Sequence, residues 1–474
     1  MIYKNGDYEV QDNEKTPGKR RKVTFFRVMV VLLLVFGCVF AIYRFHLRSK
    51  LNAKIEAIRA AGHPVTWAEL DKWYSIPVDA ENAAYTITDA FSCYVKSQDD
   101  KLLPLPGRVG LPPRTEPLSE ETRVVVVQFI TDNKETLELL HVGSAIEHCR
   151  YPVDYTAGIE TPAPHFQETR EAAMLLEIEG ILHAENNEPD LAAKSATAAL
   201  GIARSLSKEP TQISQLVRGA CQRYTVSSLV RIINRTEFTD EQLAGLSRTL
   251  IEAEGIDGMT RALVGERCVM LTILKMSPTE MSRVLSLLAG LKQSSNFVSK
   301  LGAMKLALNK FAGLSDRSLI ILLDLFEDYI EASRLPVDDR REIIGKIDVR
   351  CREAAKRDSL LARLYIGNLS GIGERNLICI AQLRAARAAL AIQRYRLAND
   401  RLPDTLDDLV PDYLDAVPID PFDGEQLRYK KLEVGFVVYS IGEDKDDDGG
   451  KERYPAGQKK RQPHECDITF IVER

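Results

Sequence analysis

No His-Glu-x-x-His, Gly-x-Ser-x-Gly, phosphate-binding glycine loop or complete dinucleotide fingerprint occurs in the 474 residues, and Gly371-Ile372-Gly373 alone does not amount to one. The local signatures of zinc peptidases, α/β-hydrolases and nucleotide-binding enzymes are therefore missing. Basic excess is missing too: 63 Lys and Arg face 68 Asp and Glu, a formal net charge of −5, which argues against a nucleic-acid partner. There is also no Cys-x-x-Cys. The eight cysteines are scattered (38, 93, 149, 221, 268, 351, 379 and 466), and seven remain once Cys38 is placed in an apolar run. An odd number excludes a complete disulfide framework; most of these thiols read as small core residues, with one or two bridges left open.

That apolar run is the first positive feature. Residues 1–22 are polar and end in Lys19, Arg20, Arg21 and Lys22, the composition of a disordered cytoplasmic tail. Val28 to Tyr43 is uninterrupted apolar sequence, and adding Val23 to Phe26, with Arg27 snorkelling, brings the segment 23–43 to the roughly 20 residues that a membrane span needs. A cleaved signal peptide is the alternative, but Ala41-Ile42-Tyr43 makes a poor small-x-small site. The reading is a retained single-pass anchor in the cytoplasmic membrane, N-terminus inside and the bulk of the chain outside, although Arg44, Arg48, Lys50 and Lys54 crowd the far side.

Beyond the anchor, with 45% hydrophobic and 28% charged residues, the chain has material for two or three packed domains. Residues 44–118 predict an extension of the membrane helix that stops at Gly62, a helix capped by Thr66 and Glu69 with Val65 stapled on Leu70, a helix over 81–96, and a Pro-rich loop over 97–117. Such a loop is either a connector or a partner contact. From 119 to 373 nearly every segment reads as helix. Ile213, Leu216, Val217, Ala220, Cys221 and Tyr224 hold three-and-four spacing, Thr239 with Gln242 forms a second capping box, and Ser277-Pro278 starts another helix. Breaks at Asn187-Glu188-Pro189, Lys208-Glu209-Pro210 and Arg334-Leu335-Pro336 fold neighbours back on one another.

The fold class expected is mainly α: a transmembrane helix, an irregular α-helical array, and a small C-terminal α+β module over 374–474. Glu374 to Leu397 is expected to be the spine of that module rather than part of the array. Leu427 to Lys430, Phe436 to Ser440 and Ile468 to Val472 read as its strands. After the second strand comes Asp444-Lys445-Asp446-Asp447-Asp448-Gly449-Gly450. Four aspartates in five positions repel one another unless solvated or bound to a hard cation, for which calcium is the natural candidate. An EF-hand is excluded, because Pro455 stands where its closing acid belongs.

Several of these motifs resemble known families. Asn399-Asp400-Arg401-Leu402-Pro403, Leu409-Val410-Pro411, Asp420-Pro421-Phe422-Asp423-Gly424 and Tyr439-Ser440-Ile441-Gly442 are similar to the globular part of the major pseudopilin of type II secretion. The resemblance covers about residues 377–474 and implies a calcium loop after the Tyr-Ser strand, closed by an acidic pair near the C-terminus. It places the metal ligands at Asp444, Asp446 and Asp448, with Asp467 and Glu465 closing the shell; Glu465 departs from the family's usual aspartate. Unlike true pseudopilins, Thr24-Phe25-Phe26-Arg27 lacks the processing glycine and the glutamate, which argues against filament assembly. Pro189 to Leu206, with Ala192, Ala193, Ala196, Ala199 and Ala203, resembles the second halves of tetratricopeptide hairpins. The stretch around Thr161 to Arg218 resembles large membrane-anchored helical proteins of planctomycete-type bacteria.

Other clusters of reactive residues are weak signals. Glu179 and His183 share a helix face at i and i+4, the spacing of a surface contact more often than of a metal site. His148, Cys149 and His165 are near in sequence, as a nucleophile and base would be. The expectation is a non-enzymatic binding or scaffold protein of the cell envelope with a calcium-stabilised module and a protein partner; the alternative is a hydrolase whose site is assembled from distant residues. N-terminal sequencing of the mature protein tests the anchor: the expected start lies before Val23, whereas a start beyond Tyr43 makes the run a removed signal peptide.

Overall fold

The computed structural model describes residues 18–97, 99, 101–104, 112–255, 258–288, 304, 306–357, 360–452 and 466–474. Among them the protein is mainly helical, with fourteen α-helices and one three-stranded antiparallel sheet. Helix α1 (Gly18–Ala60) carries the apolar run, and among the described residues it alone is long and apolar enough to cross a membrane. Its apolar window is unburied, but the character changes outward: Leu47, Leu51, Ile55 and Ile58 recur on one face and are buried in a core with Leu263, Leu322 and Phe326. Asp316 accepts from Arg44 at 2.7 Å and Asp324 pairs with Lys54, fixing α12 (Leu314–Ser333) along α1.

The local signals that end and start helices behave as their chemistry requires. Ahead of α2 (Trp67–Trp73), Thr66 Oγ1 accepts from Glu69 N at 3.2 Å, while Glu69 reaches one residue beyond Thr66 to Val65 N at 2.8 Å; Val65 and Leu70 are both buried. The helix expected over 81–96 is shorter, α3 (Ala83–Ser92): Asn82 Oδ1 takes the N-cap by accepting from Ala84 N, and the helix ends at Cys93. Helices α4 (Glu120–Asp132) and α5 (Lys134–Ala145) follow. Next come α6 (His165–Glu185), α7 (Pro189–Arg204) and α8 (Gln212–Arg235), which fold back on one another across the two predicted breaks. Ala192, Ala196, Ala199 and Ala203 are at most 3% exposed, so backbones approach where these small side chains face. Thr239 and Gln242 exchange both bonds of their capping box before α9 (Asp240–Gly255). Helices α10 (Gly258–Lys275), α11 (Pro278–Leu288, with Ser277 and Glu280 as its box), α12 and α13 (Val337–Arg357) complete the array.

The last helix, α14 (Leu360–Asn399), is longer than the expected spine and runs through position 373 without a break. One side covers the sheet, of order β1-β2-β3: β1 (Arg428–Lys431), β2 (Phe436–Ser440) and β3 (Ile468–Val472), with Val438 opposite Tyr429 and Phe470. The other side packs on α8 and α9, so Leu390 shares one core with Leu229, Leu246, Phe436 and Phe470. The spine of the module is thus also a member of the array. Asp420 ties the preceding turn to the sheet: fully buried, it accepts from Phe422 N (2.9 Å), Ser440 Oγ (2.8 Å), Ile441 N (2.9 Å) and Arg428 Nη1 (3.0 Å).

The described end of the Pro-rich loop, residues 112–117, lies against the array. Arg231, held by Glu185 at 2.9 Å, donates to the carbonyls of Pro112, Pro113 and Glu116, and Arg114 pairs with Glu452 (2.6 Å) and Glu473 (3.1 Å) of the C-terminal segment. Because α14 is shared, Leu390→Ala is expected to cost about 2–5 kcal/mol and to lower the stability of array and sheet together. Chemical unfolding followed by one probe in α9 and one in β2 checks this; a loss confined to the sheet probe contradicts it.

Candidate functional site

The acidic loop leaves β2 at Ser440 and must return its chain to the edge of the sheet, which it does through backbone in the left-handed region at Gly442, Lys445, Gly449 and Gly450. Only glycine fits at Gly450, since a Cβ there would lie 3.0 Å from Val437 Cγ1 and 3.2 Å from the Tyr439 ring. Gly450 N then donates to Asp467 Oδ2 at 2.7 Å, and Asp467 N donates to Lys451 O at 3.0 Å, clipping the loop's end to the start of β3. Asp444 Oδ1 accepts from Asp446 N and Asp447 Oδ1 from Gly449 N, so part of the carboxylate charge is spent on the loop's own amides.

The predicted ligands are distributed unevenly over this frame. Asp444 and Asp446 are exposed on the outer part of the loop, Asp448 is half-buried, and Asp467 is 2% exposed. Glu465 lies outside the described residues. Among the described residues no group of three or more acidic, histidine or cysteine side chains is already gathered as for a metal. What the fold does bring together is Asp467 with Asp447 and Asp448. Burial pushes the Asp467 carboxyl up to about 6; the amides of Gly450 and Asp448 oppose the shift, and the charges of Asp447 and Asp448 add to it. Asp467 Oδ1 and Asp448 Oδ2 are both buried with no hydrogen-bond donor. Orphaned carboxylate oxygens beside like charges are what a hard cation would satisfy, and of the expected ligands Asp448 and Asp467 are the two that carry them.

The other sequence-level candidates turn out to have separate partners. Glu179 does not pair with His183: it accepts from His141 Nε2 at 2.8 Å and Ser195 Oγ at 2.7 Å, while His183 Nδ1 meets Glu188 at 2.6 Å. Burial raises the Glu179 carboxyl, but those hydrogen bonds outweigh it and hold it below the ordinary range. Cys149 and His165 do lie in one buried region. Its members are committed to one another: His165 Nε2 donates to both oxygens of Glu209 (3.0 and 3.1 Å), Tyr155 donates to the same carboxylate at 2.8 Å, and Tyr151 bonds Ser205 at 2.9 Å. Burial pushes the Cys149 thiol up to about 12, the protonated, unreactive form.

One cluster escaped the sequence reading. Between α8, α10 and α14 lies a cleft lined by Arg218, Arg223 and Arg375 with Gln215, Gln222 and Asn376. Among the described residues no carboxylate lines it. Arg218 Nε donates to Gln215 Oε1 at 2.9 Å, and Cys379 Sγ to Gln222 Oε1 at 3.1 Å, fixing two of the amides. With a volume of about 50 Å³ it has room for a group of a few heavy atoms. The guanidinium groups of Arg223 and Arg375 beside amide donors are suited to an oxyanion. Residues from three helices, more than 150 positions apart at the extremes, give no local spacing by which to find them.

No family model matches the chain, and no curated protein or solved structure is significantly similar to it.

The raised Asp467 carboxyl sets a pH dependence. In chelator the folded state holds its proton up to about pH 6, whereas an unfolded aspartate releases it near about 3.9. The folded state binds more protons across that window, so stability falls as pH rises through it. Thermal unfolding of wild type against Asp467→Asn should show this difference between pH 4 and 6, with calcium raising the wild-type midpoint at pH 7 and leaving the variant unmoved. Equal response of the two proteins to pH and calcium would make the acidic run a solvated turn.

Proposed function

We propose that the chain is a membrane-anchored, non-enzymatic binding scaffold outside the cytoplasmic membrane, with a calcium-stabilised, pseudopilin-like C-terminal module. The observation that carries the binding reading is the cleft of α8, α10 and α14, where Arg223 and Arg375 stand among amide side chains with no carboxylate among the described residues that line it. Its ligand is accordingly anionic, a small oxyanion or the charged end of a larger partner, such as a phosphate or carboxylate group. Support for the non-enzymatic part comes from the groups a hydrolase would need: Cys149 is held as a thiol, and His165 is engaged by Glu209 in the interior. The alanine-faced α6–α7 pair is the part that resembles tetratricopeptide hairpins, as a scaffold of stacked helices would.

Calcium has a structural role in this proposal. Asp448 and Asp467 would hold it from the loop and β3, with Asp444, Asp446 and Glu465 as further oxygens. Binding would relieve the repulsion among these acids and pin loop to strand. Filament assembly is not part of the proposal, since Thr24-Phe25-Phe26-Arg27 lacks the processing signal.

Titration of the detergent-solubilised full-length protein with inorganic phosphate tests the cleft by calorimetry. Saturable binding is expected for wild type, weakened by about tenfold or more in Arg223→Gln/Arg375→Gln. Absence of binding, or equal binding by the variant, refutes the cleft as the ligand site; turnover of a phosphate monoester at a rate lost in the same variant would favour the hydrolase reading instead.

A further inference from the structure

The apolar face of α1 and the array meet at one place that the scaffold reading does not use. Residues 304 and 306–312 are helical, and Met304, Leu308 and Phe311, spaced four and three apart, are 60%, 61% and 71% exposed. This stripe faces no core. Its position is set by α1: the Phe311 ring lies 5.3 Å from that of Phe40, which is itself stacked toward Phe36 at 6.4 Å. The approach is held by Gly313, whose left-handed backbone (φ +80°) passes so close to α1 that a Cβ would lie 2.4 Å from Arg44 Nη1 and 3.1 Å from Leu47. The Arg44–Asp316 bond at 2.7 Å locks the next turn.

If α1 spans the bilayer, the depth of Phe311 follows. At about 1.5 Å per residue, Val23 to Tyr43 covers about 30 Å, the thickness of the hydrocarbon layer. Phe40 then lies about 5 Å inside the outer boundary, and Phe311 lies beside it, within the depth that interfacial helices reach. Just outward are Arg44, Arg48 and Lys310. With Phe40, Phe311 and Pro278 they line a pocket of about 440 Å³, and Arg48 is 70% exposed. Lys310 Nζ donates to Met276 O at 2.8 Å, and Asp316, 4.0 Å from Arg48 Nε, is the acid that faces these cations. Three positive charges against one leave the pocket cationic at headgroup level, over an apolar floor.

We propose that this is a lipid-binding surface: Met304, Leu308 and Phe311 enter the outer leaflet beside the anchor, and the pocket holds an anionic phospholipid, its phosphate on Arg48 and Lys310 and an acyl chain along Phe40 and Phe311. The array is thereby fixed against the bilayer at two points rather than tethered at one. The proposal rests on the anchor reading, and the test separates the two.

Full-length protein is reconstituted in nanodiscs containing brominated phosphatidylcholine, as Phe36→Trp and as Phe311→Trp, with the wild-type emission of Trp67 and Trp73 subtracted. Quenching of both new tryptophans is expected. Quenching at position 36 alone overturns the lipid surface and leaves the anchor standing; quenching at neither overturns both. In a second arm, native mass spectrometry from mixed bilayers should show phosphatidylglycerol retained over phosphatidylcholine by wild type, and the preference reduced about tenfold in Arg48→Gln/Lys310→Gln. Equal retention of the two lipids by wild type, or an unchanged preference in the variant, refutes the headgroup site.

Discussion

The burial of α14 on all sides is the constraint on which the rest of the architecture depends. Ala388, Ala389, Leu390, Ala391 and Ile392 are five consecutive residues, each at most 1% exposed. Five residues exceed a full turn at about 3.6 per turn, so no face of this segment reaches water. A helix in that position must be covered by two layers, and here they are α8 and α9 on one side and the three-stranded sheet on the other. The alanines bring both layers close; Leu390 and Ile392 supply bulk. A three-stranded sheet is too small to stand alone, and α14 covers the face that carries Phe436, Val438 and Phe470.

The coupling extends along α1. Its outer part packs on α12, α12 on α10, α10 on α8 and α8 on α14, so packing links α1 to the sheet across two apolar cores. Charged groups at the seams serve this frame: Glu185 and Arg231 draw the Pro-rich loop across the array, and Arg114 fastens it to the C-terminal segment. Buried pairs of this kind contribute little net stability, because desolvation offsets their attraction, but they reject misaligned packing. The regions for which a function is proposed lie at the margins of the frame, in the acidic loop, the arginine cleft and the pocket beside α1.

Much of this was readable from local chemistry. Caps at Thr66, Thr239 and Ser277, the strands from Arg428 and from Phe436, and the alanine face of α7 all depend on residues within a turn or a strand of one another. What was hidden depends on partners far away in sequence. Glu179 and His183 share a helix face, yet His141, Ser195 and Glu188 claim them first. Asn82 shortened α3 at its start by offering a better cap than the preceding acid. The length of α14 was underestimated because the boundary placed between 373 and 374 is no helix end: each of Gly367, Gly371 and Gly373 costs a helix about 1 kcal/mol, and the helix runs through them. For the acidic loop, the sequence named the aspartates, but only the fold distinguishes the exposed Asp444 and Asp446 from the buried Asp467 and the partly buried Asp448 with their orphaned oxygens.

Native-state hydrogen exchange measures the shared core most directly. Amides of α9 and of β2 should open with the same free energy and the same dependence on denaturant, because neither layer can leave α14 without exposing a face of it. Sheet amides that exchange through a cheaper, separate opening while α8 and α9 stay protected would contradict the account and make the C-terminal segment an independent unit.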